Sequence, residues 1–358
     1  ETHAFFKKVR KIIDTEYPDR HIVLLAEANQ WPDDVVPYFG DGDGNEFHMA
    51  FHFPLMPRMF MAVSQELRTP ITEILRRTPD IPLNSQWTIF IRNHDELTLE
   101  MVTDEERDYM YAQYAEDPVM RCNLGIRRRL APLLENNTPA IKLLFSLMWT
   151  LPGTPCMYYG DEILIGDNVF LGDRNGVRTP MQWSSDRNGG FSKADPQRLF
   201  LPIVSDSIYG YQATNVESQL KNKSSFLRWV HRMIRIRRKH PSMALGRLRF
   251  ISLLYNNVMC FTRIYEQDVY LILCSFSKNP ASAEVDLGEW ADWTPVELTN
   301  DTVFVKVPPK GQMYHVTFPP YGFFWFRLVP PTEAPARPSA PFDAGKVGPL
   351  TGAPSMVD

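Results

Sequence analysis

The feature that most limits the fold of this chain is a set of short apolar runs that end abruptly in polar residues. The clearest run covers residues 87–91 and is followed at once by the sequence RNHDE at residues 92–96. Such a run is typical of a buried parallel strand, because helices cover both faces of a parallel sheet. Residues 22–26 show the same design, and Glu27 follows them. One such run also fits a strand that merely enters a polar loop, but the repetition favours a functional site at the strand ends.

Helical patterns and apolar runs alternate over residues 1–240, which is the pattern of a parallel sheet with crossover helices. The predicted strands end at Glu27, Phe53, Arg92 and Tyr159. A complete (β/α)8 barrel needs eight strands and about 250 residues. We therefore predict half of such a barrel at residues 1–245.

The pattern changes from residue 248 onward to short alternating runs separated by turn residues. The predicted runs are Phe250–Leu254, Val258–Arg263, Val269–Ser275, Ala283–Leu287, Val303–Val307 and Tyr314–Leu328. Regularly spaced runs of this kind are typical of antiparallel β structure. We predict an antiparallel β-sandwich at residues 246–329. The tail at residues 330–358 is rich in Pro, Ala and Gly, so we expect it to be disordered or to link to a further domain.

Composition excludes several classes of protein. The chain has 38 Lys and Arg against 42 Asp and Glu, a formal net charge of −4, which gives no basic footprint for a nucleic acid partner. Its four cysteines lack C-x-x-C spacing, so we expect neither a zinc site nor a disulfide framework. A reduced, cytoplasmic location follows from that cysteine usage. No apolar run reaches about 18 residues, so we expect no membrane partner.

Three other features carry weaker signals. His48 and His52 lie in an aromatic run without carboxylates at metal-ligand spacing, so we predict structural or pocket-lining roles for them. The basic triplet at residues 127–129 is typical of a solvated face, although it also fits a brace for the acidic segment 103–114 or a cover for the site. The segment at residues 165–222 is long, polar and rich in Trp, Tyr and Arg, which indicates a functional loop.

Several of these motifs together resemble a known family. The sequences LAEAN at residues 25–29, FIRNHDE at residues 90–96 and MYYGDE at residues 157–162 resemble the fifth, seventh and eighth strand ends of the α-amylase family of glycosidases. The sequences NLGIRRRLAPL at residues 123–133 and GDRNGVRTPMQW at residues 172–183 are similar to the trehalose synthases within that family. The resemblance implies the C-terminal half of a (β/α)8 TIM barrel followed by an antiparallel β-sandwich domain.

The resemblance also implies an activity, the interconversion of maltose and trehalose by a retaining double displacement. In that reaction Glu27 would be the general acid and base, and Asp95 would hold the sugar hydroxyls as the transition state forms. His94 would donate a hydrogen bond to the same sugar. Further substrate-binding residues implied by the resemblance are Asn29, Glu96 and Arg178.

The family's nucleophile is an Asp in a G-x-R-x-D pattern, and this sequence contains no such pattern. We therefore expect the chain to be the C-terminal part of a longer enzyme and to be inactive by itself. The resemblance places the family's calcium ligands mainly upstream, so we assign no metal ligand and no cofactor to this chain. It implies a disaccharide substrate, a homo-oligomer, and a maltokinase as a partner or fused domain.

Two alternatives stay open at the level of sequence. The motif RTPMQW at residues 178–183 is shared with related α-glucosidases and sucrose isomerases, which would give hydrolysis or a different isomer. A noncatalytic carbohydrate-binding protein would keep the strands without the chemistry. Product analysis distinguishes an α-glucosidase or sucrose isomerase from a maltose isomerase. A change of Asp95 distinguishes an enzyme, which should lose most of its rate, from a noncatalytic binding protein, which should keep its role.

Overall fold

The computed structural model describes residues 1–42 and 44–333. The α-helices are α1 (Thr2–Glu16), α2 (Pro32–Val35), α3 (Leu55–Gln65), α4 (Thr69–Arg77), α5 (Asp104–Tyr114), α6 (Leu130–Leu133), α7 (Thr138–Thr150), α8 (Val216–Lys221), α9 (Phe226–Lys239) and α10 (Ser242–Leu245). The strands are β1 (Leu25–Ala26), β2 (Met49–Phe51), β3 (Gln86–Phe90), β4 (Leu97–Thr98), β5 (Arg121–Cys122), β6 (Gly125–Ile126), β7 (Thr154–Cys156), β8 (Arg247–Phe250), β9 (Val258–Tyr265), β10 (Asp268–Ser275), β11 (Ala281–Val285), β12 (Thr294–Glu297), β13 (Thr302–Val303), β14 (Tyr314–Phe318) and β15 (Phe323–Val329). The tail predicted at residues 330–358 lies outside the described residues from residue 334 onward.

Strands β1, β2, β3 and β7 form a parallel sheet in that order, and they are the strands that the sequence predicts. Ala26 pairs with Ala50 across β1 and β2, and Phe90 pairs with Cys156 across β3 and β7. Helices α3, α4 and α7 lie between these strands in the chain, as crossover connections require. The carboxyl ends of all four strands therefore share one edge, where barrel enzymes hold their active sites.

Side chains fix the starts of two helices in this half of the chain, α5 and α7. In α5, Thr103 accepts a hydrogen bond from the backbone N–H of Glu106, and the Glu106 carboxylate accepts one from the N–H of Thr103. This reciprocal capping box explains why the acidic segment is helical, because it satisfies two N–H groups that a helix start leaves free. Helix α7 begins after Asn137, whose side chain caps the N–H of Ala140, and it is buried along nearly its whole length.

The β domain consists of two layers. The larger sheet is antiparallel, with the order β13, β12, β15, β10, β9, β8, and the smaller sheet pairs β11 with β14. The sequence pattern treated residues 314–328 as one run, and this is wrong. Pro319 ends β14, and the chain turns through Tyr321 and Gly322 into β15, which lies in the other sheet. Strand β12 is also additional to the runs that the sequence predicts.

The larger sheet packs the β domain against the half barrel through alternate side chains. Val258 and Cys260 of β9 face the smaller sheet, whereas Met259 and Phe261 join the core of the half barrel. This alternation follows from the period of two in a β-strand. One hydrophobic core therefore runs from the parallel sheet into the β domain, and it holds the half barrel and the β domain together.

His52 follows β2 and is buried, and its environment favours the neutral ring. The Thr78 hydroxyl donates to the carbonyl of Ile74, so it accepts from Nε2–H of His52 at 2.8 Å. Nδ1 has no hydrogen-bond partner among the described residues. Burial lowers the pKa of His52 from 6.5 to about 4, and the positive charge of Arg58 acts in the same direction.

We expect this histidine to make the fold sensitive to acid. The pKa of His52 is lower in the folded state than in the unfolded state, so protons bind the unfolded state more tightly. The contribution of His52 to the free energy of unfolding is therefore full above pH 6.5 and is lost as the pH falls towards 4. The loss is about 3 kcal/mol. Urea unfolding at about pH 7.5 and about pH 4.5 measures the loss. The variant His52→Gln should show a shallower pH dependence, and an unchanged slope would contradict this assignment.

The described residues, 1–42 and 44–333, include no helix that is both long enough and apolar enough to cross a membrane.

Candidate functional site

Glu27, His94 and Asp95 come together at the carboxyl edge of the parallel sheet. Glu27 follows β1, and the other two lie in the loop after β3. One carboxylate oxygen or ring nitrogen from each residue lies within 4.8 Å of the corresponding atoms of the other two. The side chains of Glu27 and His94 are exposed and that of Asp95 is partly buried, so all three can meet a ligand above the sheet.

The backbone of the loop after β3 is held on both sides of Asp95. Its N–H donates to the side-chain oxygen of Asn93 at 3.0 Å, and its carbonyl accepts from Nη2 of Arg92 at 2.8 Å. Each bond spans two or three residues, so the loop forms a tight turn. The turn directs the carboxylate of Asp95 out of the sheet towards Glu27.

Two arginines from the long segment at residues 165–222 bind the carboxylate of Asp95. Nη2 of Arg178 lies 2.5 Å from Oδ1, and Nη1 of Arg174 lies 3.2 Å from the same oxygen. Nε of Arg178 also donates to the carbonyl of His94 at 2.7 Å. The other oxygen, Oδ2, lies 3.6 Å from Nε2 of His94. Arg178, predicted to contact substrate, therefore contacts the loop that carries Asp95.

Asn29 and Glu96, the remaining predicted pocket residues, lie beside this group rather than within it. Nδ2 of Asn29 donates to the carboxylate of Glu100. Glu96 accepts a hydrogen bond from Nδ2 of Asn123 at 3.0 Å and lies 3.9 Å from Nε of Arg174. Glu96 is thus linked to the site through the same arginine that binds Asp95.

A cluster of buried charges lies behind the loop. Arg92, Arg129 and Asp161 are almost completely buried, and Nη1 of Arg129 lies 3.6 Å from Oδ1 of Asp161. Burial raises the pKa of Asp161 to about 7, although Arg129 and Arg92 act in the opposite direction. Burial also lowers the pKa of Arg92 to about 10. Oδ1 of Asp161 accepts no hydrogen bond from the described residues, so its contact with Arg129 is electrostatic.

The basic triplet at residues 127–129 is not a solvated face, so that prediction is wrong. Arg129 donates to the carbonyl of Tyr159 at 2.7 Å, and Nε of Arg128 lies 3.0 Å from a carboxylate oxygen of Asp167. Arg127 donates to the carbonyls of residues 171 and 173. The triplet therefore braces the long segment at residues 165–222 and the end of β7, not the acidic helix α5.

An apolar cavity of about 540 Å³ opens beside these groups. Arg178, which binds Asp95, lines it together with Tyr159 and Glu162, and side chains of residues 179–201, mostly aromatic and aliphatic, form the rest. Trp183 is about half exposed, at 49%. The long segment therefore supplies both the arginines on Asp95 and the walls of the neighbouring cavity.

The donor atoms of Glu27, His94 and Asp95 lie close enough together to suit a cation, but their surroundings do not suit calcium. Calcium takes six to eight oxygen ligands. Here one of three donors is an imidazole, and two guanidinium groups bind Oδ1 of Asp95. The calcium that the family resemblance implies stays a prediction about ligands outside this group.

The arrangement is suited to acid and base chemistry on a neutral sugar. In retaining glycosidases a carboxylic acid transfers a proton to the leaving oxygen while positive charge develops on the sugar ring. Glu27 is exposed enough to exchange a proton with a ligand, and two arginines bind one carboxylate oxygen of Asp95. Sequence reasoning missed Arg174, although it lies in the GDR motif at residues 172–174.

Comparisons with known sequences give consistent results. Residues 126–246 match the family model described as the catalytic domain of α-amylase, and residues 248–325 match that of the C-terminal domain of maltogenic amylase. A trehalose synthase/amylase of Mycolicibacterium smegmatis is 54% identical over 94% of this chain and 58% of its own length. Trehalose synthases of Pimelobacter sp. and Thermus thermophilus are 52% and 46% identical, over 60% and 34% of their lengths. The chain thus spans from a third to about three fifths of these relatives.

Solved structures show the same architecture at low sequence identity. An α-amylase from H. orenii is similar with a TM-score of 0.65 at 20% identity, over 91% of this chain and 57% of that one. The isomaltulose synthase of Erwinia rhapontici NX5 has a TM-score of 0.61 at 18% identity, over 92% and 58% of the two chains. These likenesses show the predicted fold, the C-terminal half of a (β/α)8 TIM barrel followed by an antiparallel β-sandwich domain.

Proposed function

Because the chain belongs to the α-amylase family, we propose that it contributes Glu27, His94 and Asp95 to the active site of an enzyme that interconverts maltose and trehalose. The observation that carries this proposal is the convergence of these three side chains within 4.8 Å at the carboxyl edge of the sheet. The identity of 46–55% to trehalose synthases over about nine tenths of the chain selects this reaction within the family.

In the proposed reaction, a nucleophilic carboxylate bonds to the first glucose while Glu27 protonates the glycosidic oxygen and the second glucose leaves. Asp95 accepts hydrogen bonds from hydroxyl groups of the reacting ring, and these bonds strengthen as positive charge develops on it. His94 donates to a hydroxyl of the same ring. The second glucose is retained, turns, and attacks through a different hydroxyl while Glu27 acts as the base.

Retention of the freed glucose needs a site that excludes water. The long segment at residues 165–222 supports this proposal, because Arg174 and Arg178 attach it to Asp95 and its apolar side chains form the adjacent cavity. Because the segment is attached to the loop that carries Asp95, it can cover a bound disaccharide and keep the freed glucose in the site. The disaccharide is the proposed substrate of the complete protein.

A two-step retaining reaction also needs a nucleophile, and we propose that it is a carboxylate outside residues 1–358. The relatives in which trehalose synthesis is named are longer than this chain, which leaves room for it. We therefore expect these residues alone to be inactive. A homo-oligomer and a maltokinase partner or fused domain stay predictions of the resemblance, and a cytoplasmic location stays a prediction from the cysteine usage.

Changing Asp95→Asn in the complete protein tests the proposal. The rate of trehalose formation from maltose should fall about 10²- to 10³-fold, because a neutral amide no longer stabilises charge in the transition state. The control is Asp268→Asn in the β domain, where another aspartate lies 3.2 Å from an arginine, Arg327. Its rate should stay near wild type. Equal losses in the two variants would mean that the effect is structural.

Product analysis of the wild-type protein separates the alternatives. Trehalose from maltose supports the isomerase, whereas glucose alone supports an α-glucosidase. Isomerisation of sucrose with no action on maltose would favour a sucrose isomerase, and sugar binding without turnover would favour a noncatalytic protein.

A further inference from the structure

We propose that the buried guanidinium of Arg92 positions the loop that carries Asp95, and so acts as a positioning residue for the reaction. This inference rests on the proposed function for its catalytic consequence. Its structural content, an ordered loop after β3, can be measured without any activity.

Arg92 joins two segments that are distant in sequence. Its side chain is only 1% exposed. Nη2 donates to the carbonyl of Asp95 and Nε donates to the carbonyl of Arg128, each at 2.8 Å. A planar guanidinium presents these donors in a fixed geometry, which the single ammonium group of a lysine cannot reproduce. Arg92 therefore fixes the loop against the segment that leads into α6.

The energetic cost of a charge at this position indicates a role beyond packing. Residues 89–91 of the same run are apolar and buried, and an apolar residue at position 92 would avoid the desolvation of a charge. Burying an arginine costs several kcal/mol unless other groups compensate. Here Asp161 and Asp167 attract the charge while Arg129 repels it. The feature that an apolar residue cannot supply is the pair of hydrogen bonds to the two carbonyls.

The ion pairs that Asp95 makes with two arginines must change when a sugar binds, but the hydrogen bond from Arg92 need not. Arg174 and Arg178 both bind Oδ1, one of the two oxygens that must accept hydroxyl groups in the proposed reaction. Arg92 instead binds the backbone carbonyl from inside the fold, where it does not compete with a ligand. Together with the bond from the Asp95 N–H to the Asn93 side chain, it therefore keeps the turn in place with and without substrate, and among the described residues it alone ties the turn by hydrogen bonds to the segment before α6.

The matched pair Arg92→Lys and Arg263→Lys tests this role in the complete protein. Arg263 is also 1% exposed and donates to the carbonyls of Gly246 and Thr150, but it lies at the junction with the β domain. Both variants keep the charge and lose a guanidinium, so both should lower stability. Only Arg92→Lys should disturb the site.

The first readout is hydrogen–deuterium exchange of the peptide that covers residues 93–96. Loss of one hydrogen bond should raise its exchange rate about tenfold in Arg92→Lys and leave it unchanged in Arg263→Lys. The second readout is steady-state kinetics with maltose. We expect kcat to fall about 10²-fold with little change in KM, because displacement of a catalytic group by about 1 Å acts on the chemical step.

Either of two results would overturn the inference: unchanged exchange in Arg92→Lys, or equal changes in exchange and kcat in both variants. If the wild-type protein does not convert maltose, the proposed function fails, and the exchange experiment still decides whether Arg92 orders the loop.

Discussion

Replacing Glu27 with Gln in the complete protein is expected to reduce the conversion of maltose to trehalose by about 10²- to 10⁴-fold. The amide keeps the size of the side chain but cannot donate a proton to the glycosidic oxygen or remove one from the attacking hydroxyl. Both half-reactions lose their acid or base, so the effect should appear in kcat and should be the largest of any single change at the site. Trehalose released over time measures it.

A substrate with a good leaving group distinguishes proton transfer from a structural effect. A nitrophenyl α-glucoside leaves as a stable phenolate and needs little protonation, so the first half-reaction of Glu27→Gln should be close to wild type. The second half-reaction still needs a base and should be slow. An initial burst of nitrophenol followed by slow turnover is the expected result.

The control for this change is Glu105→Gln, which makes the same substitution at an exposed position in the first turn of α5. It should leave both reactions unchanged. If Glu27→Gln retained the wild-type rate with maltose, the acid would have to be another residue and the assignment of Glu27 would be wrong. If the rates with maltose and with the nitrophenyl α-glucoside fell by the same factor and no burst appeared, the role of Glu27 would be to support the fold of the loop.

The sequence predicts the strand ends well because their signal is local. An apolar run that stops at a charged residue is visible within ten residues, and the runs that end before Glu27 and Arg92 are parallel strands in the structure. The convergence of Glu27 with Asp95 follows from parallel pairing alone, since adjacent parallel strands end on one edge.

The arginines were harder to predict because their partners are distant in sequence. Arg178 meets Asp95 across 83 residues, and Arg128 meets Asp167 across 39. Nothing local distinguishes a buried arginine from a solvated one, since burial depends on which carbonyls and carboxylates the fold brings to it. For this reason the sequence assigns Arg92 and Arg174 no role, and for residues 127–129 it leaves a solvated face, a brace and a cover for the site as alternatives.

The division of residues 314–328 into two strands has a local signal in the sequence. Pro319 and Pro320 lack the N–H groups that a central strand donates, so the run could not continue through them. A Pro-Pro-Tyr-Gly sequence marks a turn, and here the turn moves the chain from one sheet to the other. The consequence is that Trp325 lies in the sheet that faces the half barrel.

Replacing Trp325 with Ala is expected to lower the free energy of unfolding by about 3–5 kcal/mol. The side chain is fully buried, and its Nε1 donates to the hydroxyl of Ser146 in α7 at 2.8 Å. Its ring also packs edge to face against Trp149, with centroids 6.4 Å apart. The change therefore opens a cavity between the β domain and the half barrel and removes a hydrogen bond across that boundary.

Two further variants divide this loss into packing and hydrogen bonding. Trp325→Phe keeps an aromatic ring and removes the donor, so it should cost about 1–3 kcal/mol in urea unfolding of the complete protein. Ser146→Ala removes the acceptor, and the double variant should cost less than the sum of the two changes because they share one bond. Additive losses would show that the bond contributes nothing to stability. The junction would then depend on ring packing and on Arg263, whose Nη1 donates to the carbonyl of Thr150 in the same helix.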